Sequence, residues 1–380
     1  MARNATNKLL QNAKKSKSDE FYTLYSDIQK EVEAYLEYSP DVFRDKVVYC
    51  NCDDPYESNF FRYFVLNFNR IGLKQLITTS YKTSPIANTQ LELFSYDENL
   101  TDSNEYQSKG AANKIIINEV GDIDGDSEFS LKDVALQLKE NKQNEWSTLY
   151  GDGDFRSDEA ISLLKQSDIV VTNPPFSLFR EYIKQLVEYD KKFLIISNIN
   201  AITYKEVFPL IKENKIWLGT GMGRWISGFI VPESYELYGT EARIDEDGNR
   251  IVSTNNCLWF TNLDHGKRHK QLPLMTMSDN IKFSSHKNIK GKGYEKYDNF
   301  DAIEVPFTDA IPSDYDGVMG VPITFIDKYN PDQFEIIGSD FEIKDGLHDY
   351  LIRDGWDGKL DRGYIQGKRK YSRILIKHKK

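Results

Sequence analysis

The chain has 380 residues, with 49 Lys and Arg against 59 Asp and Glu for a formal charge of −10, and three cysteines. That is enough chain for one large domain or two, each with a buried core. No run approaches the roughly 18 apolar residues of a membrane helix, and the polar stretch Met1 to Lys17 lacks the apolar core of a secretory signal, so a reducing cytoplasm is the expected compartment. Three cysteines, two of them as Cys50-x-Cys52, exclude a disulfide framework and a four-cysteine zinc site.

In chain order, short apolar runs bounded by turn or charged residues predict strands at Lys46 to Asn51, Lys74 to Ser80 and Lys114 to Val120. Further strands are predicted at Asp168 to Thr172, Lys192 to Ser197, Lys215 to Gly219 and Cys257 to Asn262. Helical periodicity falls between them, at Ser58 to Asn69, Ser130 to Glu140, Asp158 to Lys165, Leu178 to Tyr189 and Lys205 to Glu213. Strands alternating with helices of this length predict an α/β fold with a doubly wound, mostly parallel sheet covered on both faces. After about residue 255 the alternation gives way to Gly/Pro turns and aromatics, which predicts a smaller, irregular C-terminal region; the expected domains are 1–262 and 263–380.

Net charge hides an uneven distribution. Met1 to Ser18 carries five bases and no acid, Lys282 to Lys296 carries five lysines against Glu295, and Trp356 to Lys380 carries nine bases against two acids. Each run alone reads as a solvated surface. Three of them around an acidic body point to a localised anion-binding face, with Lys287, Lys290, Lys292, Lys368, Arg369, Lys370 and Arg373 as candidate nucleic-acid contacts. Tyr364 to Arg373 has the pattern of a strand-turn-strand reader or a phosphate clamp.

The sharpest chemical signal is Asp168-Ile-Val-Val-Thr-Asn-Pro-Pro-Phe176, a buried strand ending in Asn173-Pro174-Pro175-Phe176. Two prolines donate no hydrogen bonds and fix φ, so the backbone past the strand is rigid and presents carbonyls. The Asn173 side-chain oxygen and the Pro174 carbonyl can accept both protons of one amino group, and Phe176 offers a flat face to an aromatic base. Accepting both protons draws the nitrogen out of conjugation and makes it a nucleophile toward an activated methyl. An Asn-Pro turn of this kind also simply ends a strand, but in open α/β sheets this end of a strand is where ligands sit. Cys52 to Ser58 contains no glycine, which excludes a dinucleotide fingerprint. The strand at Lys74 to Ser80 ends in Thr78-Thr79-Ser80, without a ribose-binding acid. Methyl transfer needs no metal, and no metal site is expected.

The tetrapeptide resembles the hallmark loop of amino methyltransferases that use S-adenosylmethionine. More narrowly, Lys17-Ser-Asp-Glu-Phe-Tyr-Thr23, Val47 to Pro55, Gly151-Asp-Gly-Asp-Phe-Arg156 and Phe193-Leu-Ile-Ile-Ser-Asn198, in that order, resemble the EcoRI-type adenine-specific DNA methyltransferases, as does Tyr329 to Gly338. The resemblance implies a methyltransferase-type sheet, S-adenosylmethionine as cofactor, and double-stranded DNA as partner, with an adenine rotated out of the stack. It implies that Asn173 and Pro174 hold the adenine amino group, Pro175 fixes the loop and Phe176 stacks on the base. It places Asp154 and Phe155 on the cofactor's adenine and Asp53, Asp54 and Pro55 at its methionine end, with Phe21, Tyr22 and Thr23 closing that pocket. A monomer is expected, with a cognate restriction endonuclease acting on the same site without contact. Transfer to RNA or a protein amide, or a non-catalytic DNA-binding module, are the competing readings.

Overall fold

The computed structural model describes residues 22–52, 58–81, 112–123, 129–140, 143–221, 226–231, 242–246, 248–253 and 256–379. Phe21, Asp53, Asp54, Pro55 and the basic stretch Met1 to Ser18 lie outside the described residues. The fold divides into two compact units, Met1–Val207 with Leu218–Leu263, and Phe208–Trp217 with Asp264–Lys380.

The strands in chain order are β1 (Tyr22–Thr23), β2 (Val47–Cys50), β3 (Gln75–Thr79), β4 (Asn113–Ile117), β5 (Glu145–Thr148) and β6 (Ile169–Thr172). They continue with β7 (Lys192–Asn198), β8 (Trp217–Leu218), β9 (Phe229–Val231), β10 (Arg243–Ile244), β11 (Arg250–Val252) and β12 (Cys257–Thr261). An eight-stranded sheet has the order β5-β4-β3-β2-β6-β7-β12-β8, and a smaller sheet the order β1-β9-β11-β10. β2 (Val-Val-Tyr-Cys) and β6 (Ile-Val-Val-Thr) are buried at every residue, as continuous apolar strands in the centre of a covered sheet must be. Within the eight-stranded sheet β3, β2, β6 and β7 pair parallel to one another. β4 and β5 pair antiparallel on one side and β12 antiparallel on the other, so the sheet is mixed where the sequence predicts a mostly parallel one. The reason is visible in β5, Glu-Trp-Ser-Thr, whose exposed and half-exposed residues suit an edge strand that no βαβ crossover covers. Because β2, β3 and β6 run parallel, their carboxyl ends fall on one edge.

The helices that flank these ends follow from local chemistry. Ser58 caps Asn59–Leu66, its hydroxyl accepting from Phe60 N (3.1 Å) and Phe61 N (3.2 Å), an interaction typically worth about 1 kcal/mol. Phe60, Phe61, Tyr63, Phe64 and Val65 of that helix are all buried. Helix Phe179–Glu188 buries Phe179, Tyr182, Ile183 and Leu186, the i, i+3, i+4, i+7 stripe of an amphipathic helix. Ser157 caps Asp158–Gln166, with Asp158 and Glu159 in its first turn and Lys165 in its last, each on the side the helix dipole favours. Helix Tyr25–Tyr38, β5 and the small sheet have no counterpart among the predicted elements.

In the second unit β13 (Ala302–Glu304), β14 (Val318–Pro322), β15 (Phe334–Ser339) and β18 (Arg373–His378) form a sheet of order β13-β14-β18-β15, and β16 (Tyr364–Ile365) pairs with β17 (Lys368–Arg369) as a hairpin. Its core gathers Tyr297, Phe300, Ala302, Ile343, Leu351, Ile365 and Leu375. Helix Phe208–Lys212, predicted as part of the alternating region, belongs to this unit.

Candidate active site

β6 delivers Thr172 and then the loop Asn173-Pro174-Pro175-Phe176 to the carboxyl edge of the sheet. The Thr172 hydroxyl donates to the backbone carbonyl of Asn51, the residue after β2, so the two strand ends are fastened together just before the loop begins. The Tyr182 phenol donates to Asn51 Oδ1 from the helix that follows the loop. Burial pushes the Tyr182 phenol well above its ordinary range, which keeps it a proton donor at neutral pH. Pro174 is buried, while Asn173, Pro175 and Phe176 are partly exposed. The Pro175 carbonyl is taken by Leu178 N at 3.0 Å, whereas the Pro174 carbonyl accepts from no described residue.

The small sheet forms the neighbouring wall. The Phe176 ring meets the edge of Phe229 on β9, with centroids 6.3 Å apart and planes at 75°. Phe229 is the register partner of Thr23, whose carbonyl accepts from Asn59 Nδ2 at 2.8 Å. Tyr22 and Thr23 are buried, and the Thr23 hydroxyl has no hydrogen-bond partner among the described residues. Two carboxylates of helix Tyr25–Tyr38, one turn apart, secure the chain leading to β9. Asp27 accepts from Ser227 N (2.9 Å) and Oγ (2.8 Å), and the buried Glu31 accepts from Thr220 N (2.7 Å), Thr220 Oγ1 (2.9 Å) and Gly221 N (3.2 Å). Burial raises both carboxyls above the usual range, against the opposing pull of these hydrogen bonds.

On the other side, Gly153 turns the chain at φ +79°, and an added Cβ would lie 2.0 Å from the carbonyl oxygen of Ser80 at the end of β3. Only glycine permits so close an approach, which brings Asp154 and Phe155 to the same sheet edge. Asp154 Oδ1 accepts from Arg156 N (2.9 Å) and Nε (2.9 Å), and Oδ2 accepts from Arg156 Nη2 (2.6 Å). These bonds fix the orientation of the Asp154 carboxylate. The sequence expectation puts Phe155 against a ligand, but its ring is only 4% exposed and packs edge-on to Tyr182 at 5.0 Å. Its carbonyl accepts from Gln185 Nε2 at 3.2 Å, and Arg156 Nη1 donates to Glu181 Oε2 at 2.9 Å. Phe155 is thus an anchor that locks the Asp154 loop onto the helix after the tetrapeptide.

The fold therefore brings together Tyr22, Thr23, Asn51, Asp154 and Asn173 to Phe176, which are dispersed over more than 150 residues of sequence. A family model described as adenine-specific methyltransferase EcoRI matches residues 9–379. The chain belongs to the EcoRI family of adenine-specific methyltransferases. As an EcoRI-family member it is an enzyme, a site-specific DNA methyltransferase acting on adenine. It is 54% identical over 380 residues to the type II methyltransferase M.EcoRI of Escherichia coli, covering 100% of this chain and 99% of that one. It is 35% identical to M.MpnI of Mycoplasma pneumoniae, covering 97% of each chain. It is also 35% identical to M.MgeORF184P of Mycoplasma genitalium, covering 96% of this chain and 97% of that one. No solved structure matches the chain.

The basic residues of this EcoRI-family chain divide into two kinds. Lys287, Lys290, Lys292 and Lys368 are exposed. Arg369 is held by Asp361 at 2.7 Å and Lys370 lies 3.5 Å from Glu295, both at the surface. Arg373 departs from its expected role. Its side chain is only 11% exposed and is paired with Glu304, which also accepts from the Tyr297 phenol, so it is a core ion pair and not a cation facing solvent. Its place in a basic run made it look like a surface residue, whereas its position as the first residue of the central strand β18 decides its environment. Among the described residues no helix is long and apolar enough to cross a membrane, and no group of three metal-binding side chains occurs.

Proposed function

We propose that this EcoRI-family methyltransferase transfers the methyl group of S-adenosylmethionine to the exocyclic 6-amino group of an adenine rotated out of duplex DNA, at a defined sequence, in a restriction–modification setting. The single observation that carries the reading is the Pro174 carbonyl, which accepts from no described residue and sits beside the Asn173 amide on a rigid strand-end loop. Asn173 Oδ1 and Pro174 O accept the two amino protons and turn the nitrogen lone pair out of the ring. Pro175 fixes the loop, and Phe176, braced by Phe229, stacks on the base.

The residues present fit the cofactor. Asp154, oriented by Arg156, would accept from its adenine amino group, and Phe155 holds that loop in place. Tyr22 and the buried Thr23 hydroxyl would face its methionine end, together with Phe21, Asp53, Asp54 and Pro55, whose part is implied by the family resemblance. When bound, S-adenosylmethionine supplies a methyl group on a positively charged sulfur. The protein's part is positioning and exclusion of water, which together supply much of the acceleration such reactions need. The first unit, on a doubly wound methyltransferase-type sheet, is the catalytic one, and the second reads the DNA, with Lys287, Lys290, Lys292, Lys368, Arg369 and Lys370 near phosphates.

Incubation with labelled S-adenosylmethionine and mixed-sequence duplex DNA, followed by digestion to nucleosides, tests the reading. Labelled N6-methyldeoxyadenosine is expected, and sequencing the modified positions gives the target site. Label appearing only in RNA or protein acceptors overturns it.

A further inference from the structure

The second unit brings two basic elements to one place. The first is the helix Met277–Phe283 with the turn that follows, folded back so that Gly291 N donates to Ile281 O at 2.8 Å. Within the turn Ile289 N and Lys290 N both donate to His286 O, at 3.0 and 2.9 Å. His286 is itself pinned, stacked on Phe307 with centroids 3.7 Å apart and paired with Asp309 at 2.8 Å. The second element is the β16–β17 hairpin, turned by Gln366 and Gly367 at φ +51° and +70°. The stretch that leaves the lysine turn docks directly on that hairpin. Asp298 N donates to Tyr364 O (2.7 Å), Gly367 N donates to Asp298 Oδ2 (2.8 Å), and Lys370 Nζ lies 3.5 Å from Glu295.

The helix of the first element ends in a ring with no polar atom. Phe283 is 68% exposed. Lys282, Lys287, Lys290 and Lys292 around it in sequence are exposed, and none forms an ion pair among the described residues. An exposed benzyl group among like charges suits a protein interface poorly, because covering it would desolvate several ammonium groups, and lysine is depleted from such interfaces. A nucleic acid satisfies both halves of the element at once. Phosphates neutralise the lysines, and base faces accept the ring, the combination found in proteins that unstack a base step.

We infer that Phe283 is an apolar wedge that stacks against the bases of the bound duplex while the lysines around it hold the flanking phosphates. This rests on the reading of the second unit as the DNA-binding one. The rigidity of the element fits the role, since a wedge can push bases apart only if its support does not yield, and the His286 stack and the Gly291–Ile281 bond provide that support.

The test is equilibrium binding of the full-length protein to a duplex carrying its methylated site, at salt from about 50 to 200 mM. Phe283→Ala is expected to weaken binding about 5- to 150-fold with the salt slope unchanged, the range for removing one base–aromatic stack. The triple variant Lys287→Gln, Lys290→Gln, Lys292→Gln is expected to flatten the slope by about 0.9 for each phosphate no longer neutralised. A duplex with 2-aminopurine walked through the site should brighten at one step with the wild type and not with Phe283→Ala. Unchanged affinity and fluorescence in Phe283→Ala, with the slope flattened in the triple variant, overturns the wedge and leaves the DNA-binding reading standing. An unchanged slope in the triple variant overturns that reading itself. Phe283-dependent sedimentation with phosphatidylserine vesicles, with DNA affinity unaltered, assigns the ring to a lipid surface and also overturns the wedge.

Discussion

The Tyr182 hydroxyl donates to the side-chain oxygen of Asn51, 131 residues earlier in the chain, and ties the helix after the Asn-Pro-Pro-Phe loop to the end of β2. Asn51 is only 3% exposed and receives Thr172 on its backbone carbonyl as well, so a single residue holds both sides of the loop's base. Tyr182→Phe keeps the packing and removes the donor. It should cost about 1–3 kcal/mol, the penalty for leaving a buried acceptor without its partner, and should lower the methylation rate with little change in DNA affinity. Urea unfolding and single-turnover kinetics check both halves.

Asn173→Ala removes one of the two acceptors proposed for the amino group. Turnover should fall on the order of 10²-fold or more, the scale of deleting one preorganised polar group that faces a reacting atom. Cofactor affinity measured by calorimetry should stay near the wild-type value, because the residues proposed to hold the cofactor lie on other loops. Retained turnover would remove the loop from the chemistry.

Gly153→Ala should be severe for its size. It places a side chain at φ +79° and drives a methyl into the Ser80 carbonyl, so the Asp154 loop must move away from the end of β3. A loss of about 2 kcal/mol or more is expected from the backbone conformation alone. The KM for the methyl donor should rise more than kcat falls, which a steady-state comparison resolves.

Asp340 gives the second unit a pH dependence. Burial pushes its carboxyl up to about 6 despite Arg362, Ser372 and the backbone of Arg373 close by. A carboxyl whose folded value lies above its unfolded one favours folding most when protonated, so its contribution is fully present below about pH 4 and lost as pH rises through about 6. Asp340→Asn should remove that fall. Denaturant melts at closely spaced pH values between 4 and 7 should therefore show wild type minus variant declining as pH rises, and a flat difference would contradict the assignment.

How much of this was legible in the sequence depends on the range of the interaction involved. Val47 to Asn51 and Asp168 to Phe176 announce themselves because a buried parallel strand is a continuous apolar run and a double proline is an unmistakable stop. Asp154 could be singled out by its Gly-Asp-Phe setting, but not the bonds from Arg156 that orient it. Asn51 and Tyr182 carried no signal of their own, since one reads as the polar residue after a strand and the other as part of a helical apolar stripe. Phe229 was illegible for a deeper reason. Its role exists only because β9 pairs with β1, and a two-residue strand has too short a pattern to be recognised. Arg373 shows the opposite error, in which composition spoke loudly about a residue whose surroundings are set by distant Glu304.

The pairing of Thr23 with Phe229 also fixes an order of events during synthesis. The strand made almost first must wait, unpaired, until more than two hundred further residues have left the ribosome, and closing so long a loop is a slow, late step. Asn173 and its neighbours are made well before that point, yet the wall that braces Phe176 does not exist until β9 arrives. A chain halted between Phe176 and Phe229 would carry the Asn173 to Phe176 loop without the ring that braces Phe176. The wall against Phe176 is therefore among the last parts of the first unit to be assembled, complete only when β9 has been made and paired with β1.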